Sequence, residues 1–323
     1  MARKYVPKDL KKGKGIISRN HTVATRGGGT LKVSQNLGVT NKGMGLLETE
    51  DAKRRILNRL PQQEGRIKTL ISEAMFKTEK LLQKADASRV KSEDGTWKVV
   101  KKSLISSKIT DIVGSTVKKI NHEIVSNIQG SIKTYLIGLR RDSKTEFLSM
   151  SEINEISKKK ALQIYRQKVG KDKKTTPHRV AAMGVRLETE LYKTIDQTHT
   201  ERFNGRKGLR RRLLDPRGSN IPCVARGVAR INRTEQNRGI HEAVIGVLED
   251  SDVPLAYWRL SASHKDYGGG EICEVLSTNT GGGVESVLAN RNIIASTSGL
   301  YTVSDFPMIP HPNCMCSIEP LFA

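Results

Sequence analysis

The strongest pattern runs from Leu104 to Leu139, where Ile105, Ile109, Ile112, Val117, Ile120, Ile124, Ile128, Ile132 and Leu136 recur on one stripe opposite Lys, Asn, Ser and Gln. A period near 3.6 held over about ten turns predicts a helix, because a strand alternates every two residues. Such a stripe needs a partner, which a helical bundle or a dedicated oligomerisation coil would supply. Glu48 to Val90 carries a second helical pattern through Ile56, Leu60, Ile67, Leu70, Ile71, Met75, Leu81 and Leu82, and Pro61 is expected to divide it or open its second part. A third helix is expected from Ser151 through Ile153, Ile156, Leu162, Ile164 and Val169. Beyond the polar break at Gly170–Lys174, Thr176 and Pro177 read as the N-cap and first turn of a further helix bearing Val180, Met183, Leu187, Leu191 and Ile195.

The flanking stretches have no such period. Residues 1–47 are rich in Lys, Gly, Ser and Thr and read as an extended basic arm, either a solvated tail or a segment that orders on a neighbouring subunit or DNA. Residues 205–220 pack Arg206, Lys207, Arg210, Arg211, Arg212 and Arg217 among Gly and Pro, a basic linker loop that either contacts phosphates or is simply a solvated surface. From 221 onward the pattern mixes. Ala225–Leu248 reads as a helix, Trp258-Arg259-Leu260-Ser261 as a strand, and Gly268-Gly269-Gly270 as a turn. The expected class is therefore α+β: a mainly α N-terminal helical region over 48–204, then a small α+β C-terminal domain over 221–323 with its strands after Leu255.

Composition sharpens this picture. Of the 323 residues, 36% are hydrophobic and only 4% aromatic, so part of the chain should be elongated or docked on partners rather than wrapped around one large core. The formal net charge of +23 favours a polyanionic partner, nucleic acid foremost. No run approaches the roughly 18 apolar residues of a membrane span, and no membrane partner is expected. The first twenty residues carry Lys and Arg with no apolar region after them, which does not read as a secretory signal and points to cytosolic synthesis.

Chemistry concentrates near the C-terminus. Three of the four cysteines, Cys273, Cys314 and Cys316, fall there, while Cys223 stands apart. The segment His311-Pro312-Asn313-Cys314-Met315-Cys316 offers two thiols and an imidazole at close spacing, and Cys273 or His264 could approach from a preceding hairpin. Cys273, His311, Cys314 and Cys316, with His264 as the alternative ligand, form a candidate tetrahedral zinc set, and N/S ligation of this kind suits a structural ion. The competing reading is a metal-free packed corner whose backbone is fixed by Pro310 and Pro312. On the helix before it, Arg230 and Arg233 share a face, and with Glu235 they suggest structural ion pairs to the C-terminal sheet rather than a ligand site.

Taken in order, Ala229-Arg230-Ile231-Asn232-Arg233-Thr234-Glu235, Asn237-Arg238, the Trp258 strand, the isolated Cys273 and the terminal His-Pro-Asn-Cys-x-Cys resemble the C-terminal domain of phage minor head proteins of the phage Mu head-morphogenesis kind. The resemblance covers roughly Ile221 to Pro320, about a third of the chain. This chain departs from the family pattern at Met315, where Arg is usual, and at Cys273, where many members have Cys-x-x-Cys. The resemblance implies a structural component of the virion head near the portal vertex, made in the host cytoplasm during assembly. It further implies several copies in a symmetric assembly with portal and capsid subunits, non-specific contact with genomic DNA, and a role in head assembly and DNA packaging or delivery.

Enzymatic readings find little material. No His lies in a Gly-x-Ser-x-Gly, His-Glu-x-x-His or Walker A context, and the paired patterns of a zinc deaminase are missing. No activity is expected. The alternative class is a basic nucleic-acid-binding protein, or a nuclease-like enzyme with a C-terminal zinc site built from His241, His264 and the three cysteines.

Overall fold

A computed structural model describes residues 20–24, 30–34, 47–86, 89–91, 97–99, 102–143, 148–166, 182, 184–189, 221–261, 271–279, 283–292, 297–307, 309 and 314–321. The described chain is mainly helical with a small antiparallel sheet near its C-terminus, the α+β class expected. Its elements are β1 (Asn20–Ala24), β2 (Thr30–Ser34), α1 (Leu47–Asp86), β3 (Arg89–Lys91), β4 (Trp97–Val99), α2 (Lys102–Asp142), α3 (Met150–Arg166), α4 (Ile221–Asp250), β5 (Leu255–Arg259), α5 (Glu271–Thr278), α6 (Val284–Arg291), β6 (Leu300–Thr302) and β7 (Ser317–Pro320). Residues 184–189 are also helical. No helix among the described residues is long and apolar enough to cross a membrane.

Several boundaries differ from those read off the periodicity. Pro61 neither divides α1 nor opens its second part: the helix continues through it for 40 residues. Pro61 is exposed, whereas Ile56, Leu60 and Ile67 on either side are buried, so burial of the apolar stripe outweighs the one hydrogen bond that proline removes. The pattern assigned to helix up to Val90 stops at Asp86, and an antiparallel hairpin of β3 and β4 follows. Inside the stretch expected as an extended arm, β1 and β2 pair from Asn20↔Ser34 to Ala24↔Thr30. Strands this short show too few alternations to register as a period, although Thr22, Val23, Thr30 and Val33 favour extended backbone. Helix α3 begins one residue before the expected Ser151. A capping box fixes it at Met150: Ser149 Oγ accepts from Glu152 N at 3.2 Å, and the Ser149 N–H donates to the Glu152 carboxylate at 2.7 Å. The Thr176–Pro177 start and the 205–220 loop lie outside the described residues.

Two compact units emerge, and their boundaries fall inside helices. One contains 57–129 and 161–232. Its core is the stripe of α2, with Ile109, Val113, Ile120, Ile124 and Ile128 buried, together with Leu60, Ile67, Ile71 and Met75 of α1. Arg66 pairs with Glu123 at 3.3 Å, Thr110 Oγ1 donates to Glu188 at 2.6 Å, and the buried amides of Asn127 and Asn232 bond at 3.1 Å. Packing within this unit thus buries much of the first part of the stripe, while Ile132 and Leu136 are buried in the other unit.

The other unit contains 1–56, 130–160 and 233–323 and carries the three-stranded sheet, in the order β6-β5-β7 with both pairings antiparallel. On one side Leu255 and Tyr257 of β5 pack with Val284 and Leu288 of α6, Leu300 and Leu321. The alternate residue Trp258 stacks on Phe306, centroids 5.8 Å apart, with His241 of α4 edge-on at 5.5 Å.

In this unit the end of α2 holds the start of α1. The Asp142 carboxylate accepts from Glu48 N at 3.0 Å, from Thr49 N at 2.7 Å and from Thr49 Oγ1 at 2.6 Å, so one side chain satisfies two orphan amides at the α1 N-terminus and sets negative charge against its dipole. Gly138 permits the approach: a Cβ there would stand 2.7 Å from Glu48 O and 2.9 Å from Ala52 Cβ. At Gly130, eight residues earlier on the same helix, a Cβ would meet nothing within 4 Å. Gly138→Ala should therefore destabilise the protein by about 1–3 kcal/mol. Gly130→Ala should stabilise it by up to about 1 kcal/mol through helix propensity, with urea midpoints of the two variants moving in opposite directions.

Candidate metal centre

The segment Cys314–Cys316 enters β7 as buried backbone that belongs to no ladder, so its carbonyls need donors from elsewhere. Helix α4 provides them. Asn237 Nδ2 donates to Cys314 O at 2.9 Å and to Cys316 O at 2.8 Å, and His241 Nε2, one turn on, donates to Cys316 O at 2.8 Å. This assigns the proton to Nε2, and Nδ1 is buried with no hydrogen-bond partner among the described residues. Burial holds the His241 pKa down at about 4, against the opposing pull of its bond to Cys316, so the ring is neutral near pH 7.

The clamp brings the two C-terminal thiols against Cys273 in the first turn of α5. Cys273 therefore sits on a helix, not on the hairpin expected from the glycine-rich sequence before it. The Cys273 and Cys314 sulfurs are 3.7 Å apart, and the three Sγ atoms lie within 4.8 Å of one another, all buried. A tetrahedral ion with metal–sulfur bonds of about 2.3 Å separates its sulfurs by about 3.8 Å, so the cluster can hold a metal ion with little movement. The three cysteines are free of disulfides. Sharing hydrogen bonds with Cys314 and Cys316 raises the Cys273 pKa, and burial adds to it. For Cys314, the bond with Cys273 pulls down but Cys316 and burial outweigh it, and the net shift is upward. Without a metal Cys273 and Cys314 are protonated, inert thiols, unlike the exposed low-pKa thiolates that act as nucleophiles.

Charged groups surround this corner on β5, β7 and α1. Arg259 Nε donates to the Glu319 carboxylate at 2.6 Å, in a pair that is almost wholly buried. Burial raises the Glu319 pKa, against the pull of Arg259 and Lys53. Lys53 of α1 turns its ammonium inward and donates to Ser317 Oγ at 2.9 Å, and desolvation lowers its pKa while Glu319 and the Cys316 thiol oppose that. Tyr135 of α2 donates its hydroxyl to Ile318 O at 2.6 Å, and burial raises its pKa.

Of the residues singled out from sequence, Cys273, Cys314 and Cys316 are brought together. His311, His264 and the basic set Arg206, Lys207, Arg210, Arg211, Arg212 and Arg217 lie outside the described residues, as does the side chain of Cys223. Glu235 forms an ion pair, but along its own helix, with Arg238 at 3.8 Å, and Arg238 also reaches Glu242 at 3.2 Å. Arg230 and Arg233 each have interactions of their own. Asn237 and His241 of α4 bond the backbone that leads into the sheet; in the sequence Asn237 stands only as part of a motif and His241 only as zinc-site material of a nuclease-like enzyme. A usable signal existed: Arg233, Asn237 and His241 recur every four residues on a helix that also carries apolar residues at Val244 and Leu248.

Replacing Asn237 by Leu would leave the buried Cys314 carbonyl without its donor from α4 and Cys316 O with His241 alone, at a cost of about 1–3 kcal/mol. Chemical denaturation of the metal-free, reduced protein should show a loss of that size, and Asn237→Asp, which also sets a carboxylate against the carbonyls, should be worse. A variant as stable as the wild type would contradict the clamp. Comparison with family models, curated proteins and solved structures returns no match.

Proposed function

We propose that this protein is a structural minor head protein of a bacteriophage virion, associated with portal and capsid subunits and supporting head assembly and DNA packaging or delivery, and that its C-terminal unit holds a structural zinc ion. The observation that carries the reading is the coupling of the motif's parts. Asn237, two residues past Arg-Thr-Glu, binds the Cys-x-Cys backbone, Trp258 packs on His241 of the same helix, and Cys273 lies 3.7 Å from Cys314. A chance succession of weak motifs has no reason to converge on one buried cluster, whereas a folding unit of the family's kind does.

In this reading Cys273, Cys314 and Cys316 would hold the ion, with His311 as the fourth donor by its place in the sequence. Zinc would supply cross-linking: it ties α5 to the entry of β7 in a unit whose sheet has only three strands. Full burial of the three sulfurs suits a closed structural site rather than one that keeps a position for substrate. The work of the protein is then adhesive. Its basic segments, including Arg206–Arg217, would meet DNA or acidic shell surfaces through counterion release, so salt should weaken that contact.

Deleting the gene should yield particles defective in head assembly or empty of DNA, and the protein should be recovered in purified virions. Normal DNA-filled heads without it would sink the virion reading. Elemental analysis of gently purified protein should find about one zinc per chain, and chelation should lower its melting temperature; fewer than about one zinc per two chains with an unchanged melt would favour a metal-free corner.

A further inference from the structure

Among the described residues, charged side chains of α1, β5 and β7 stand near the cysteine cluster. Two cations, Arg259 and Lys53, share one buried carboxylate, Glu319. Arg259 engages it directly at 2.6 Å, while the Lys53 ammonium is bonded to a neutral hydroxyl, Ser317 Oγ. Glu50 also acts on Lys53 but stands exposed to solvent, where its field is screened. Among the described residues, the Asn237 amide and the His241 ring beside the cluster are neutral, and the Asp142 carboxylate, which acts on Tyr135, is bonded to the α1 N-terminus. The half-buried Lys53 ammonium thus meets a hydroxyl rather than a carboxylate directly, an arrangement that costs free energy unless another negative group pairs it.

Three thiolates on a divalent cation carry a net charge of minus one, whatever neutral group takes the fourth position. We infer that Lys53 is the counter-charge of a tris-thiolate metal centre at Cys273, Cys314 and Cys316, and that the pair selects a divalent ion. A monovalent ion on three thiolates would leave an extra negative charge, and a trivalent ion would leave Lys53 unbalanced. The position of Lys53 fits the role: its hydroxyl partner is the residue after Cys316, and the Cys316 and Cys314 thiols both act on its charge. Lys53 is thus a positioning and charge-balancing residue, not a ligand. On binding, the divalent ion displaces three thiol protons to solvent, and no electrons are transferred. The inference rests on the metal reading above and adds to it a residue from α1, over two hundred residues away in the chain.

The test uses the full-length, reduced chain with Zn²⁺ or Co²⁺ alone as the probe, competed against a chromophoric chelator. Lys53→Met keeps the length and removes the charge; Lys53→Arg keeps the charge. Lys53→Met should weaken metal binding by about 10- to 100-fold, as loss of an outer-sphere partner does, with Lys53→Arg close to wild type. Melting of the metal-free protein should move the other way, with Lys53→Met as stable as wild type or more so, because it removes a half-buried charge whose direct partner is only a hydroxyl. These opposite signs separate charge balance from a merely structural role, which would lower both. Equal metal affinity in wild type and Lys53→Met overturns the inference while leaving the metal site standing, as does a Lys53→Met chain that fails to fold without metal. A wild-type chain that binds neither ion overturns both.

Discussion

The C-terminal unit depends on one constraint: the carbonyls of Cys314 and Cys316 are buried before β7 begins and must be hydrogen-bonded. No strand is available to them, so α4 answers with side chains, Asn237 bridging both carbonyls and His241 reinforcing the second. Next to that clamp β7 pairs with β5, the Ile318 carbonyl accepts from Tyr135, and the Cys314 thiol lies against Cys273. An unpaired buried carbonyl would cost about as much as any of these contacts contributes, which is why the polar residues of α4 are buried rather than solvated.

A second set of contacts places α1 in the same unit. Asp142 closes the α1 N-terminus and Gly138 lets the two helices come close enough for it to do so. With its first turn fixed, α1 aims Lys53 at Ser317. Long helices in this protein thus do more than bury apolar stripes: their ends carry the polar groups that the sheet segment requires. The separation in sequence is large, 264 residues between Lys53 and Ser317, so the loop-closure entropy of bringing them together must be recovered from the core around them.

The regular part of the fold was legible. The α2 stripe was read almost to its ends because ten turns give the period many chances to repeat, and Trp258 announced a strand that does form the centre of the sheet. Short elements were not legible. The β1–β2 and β3–β4 hairpins offer three to five residues per strand, and α5 offers only two turns, so Cys273 was assigned to a hairpin when it lies on a helix. Pro61 misled for a different reason: its rule concerns the backbone alone, and here the apolar residues before and after it decide.

By itself, the sequence determined the helical period, the α+β class, the excess of positive charge and the grouping of three cysteines near one end of the chain, because each is a local or compositional property. Only the tertiary structure decided which polar residues become partners. Asn237, His241, Lys53 and Glu319 are ordinary polar positions until the chain folds, and their roles depend on carbonyls, thiols and charges brought to them from elements far away in sequence. No pattern of neighbours records such a meeting. It is set by which backbone groups are left without a ladder once the helices and the sheet have formed, and by the need to pair what burial has removed from water.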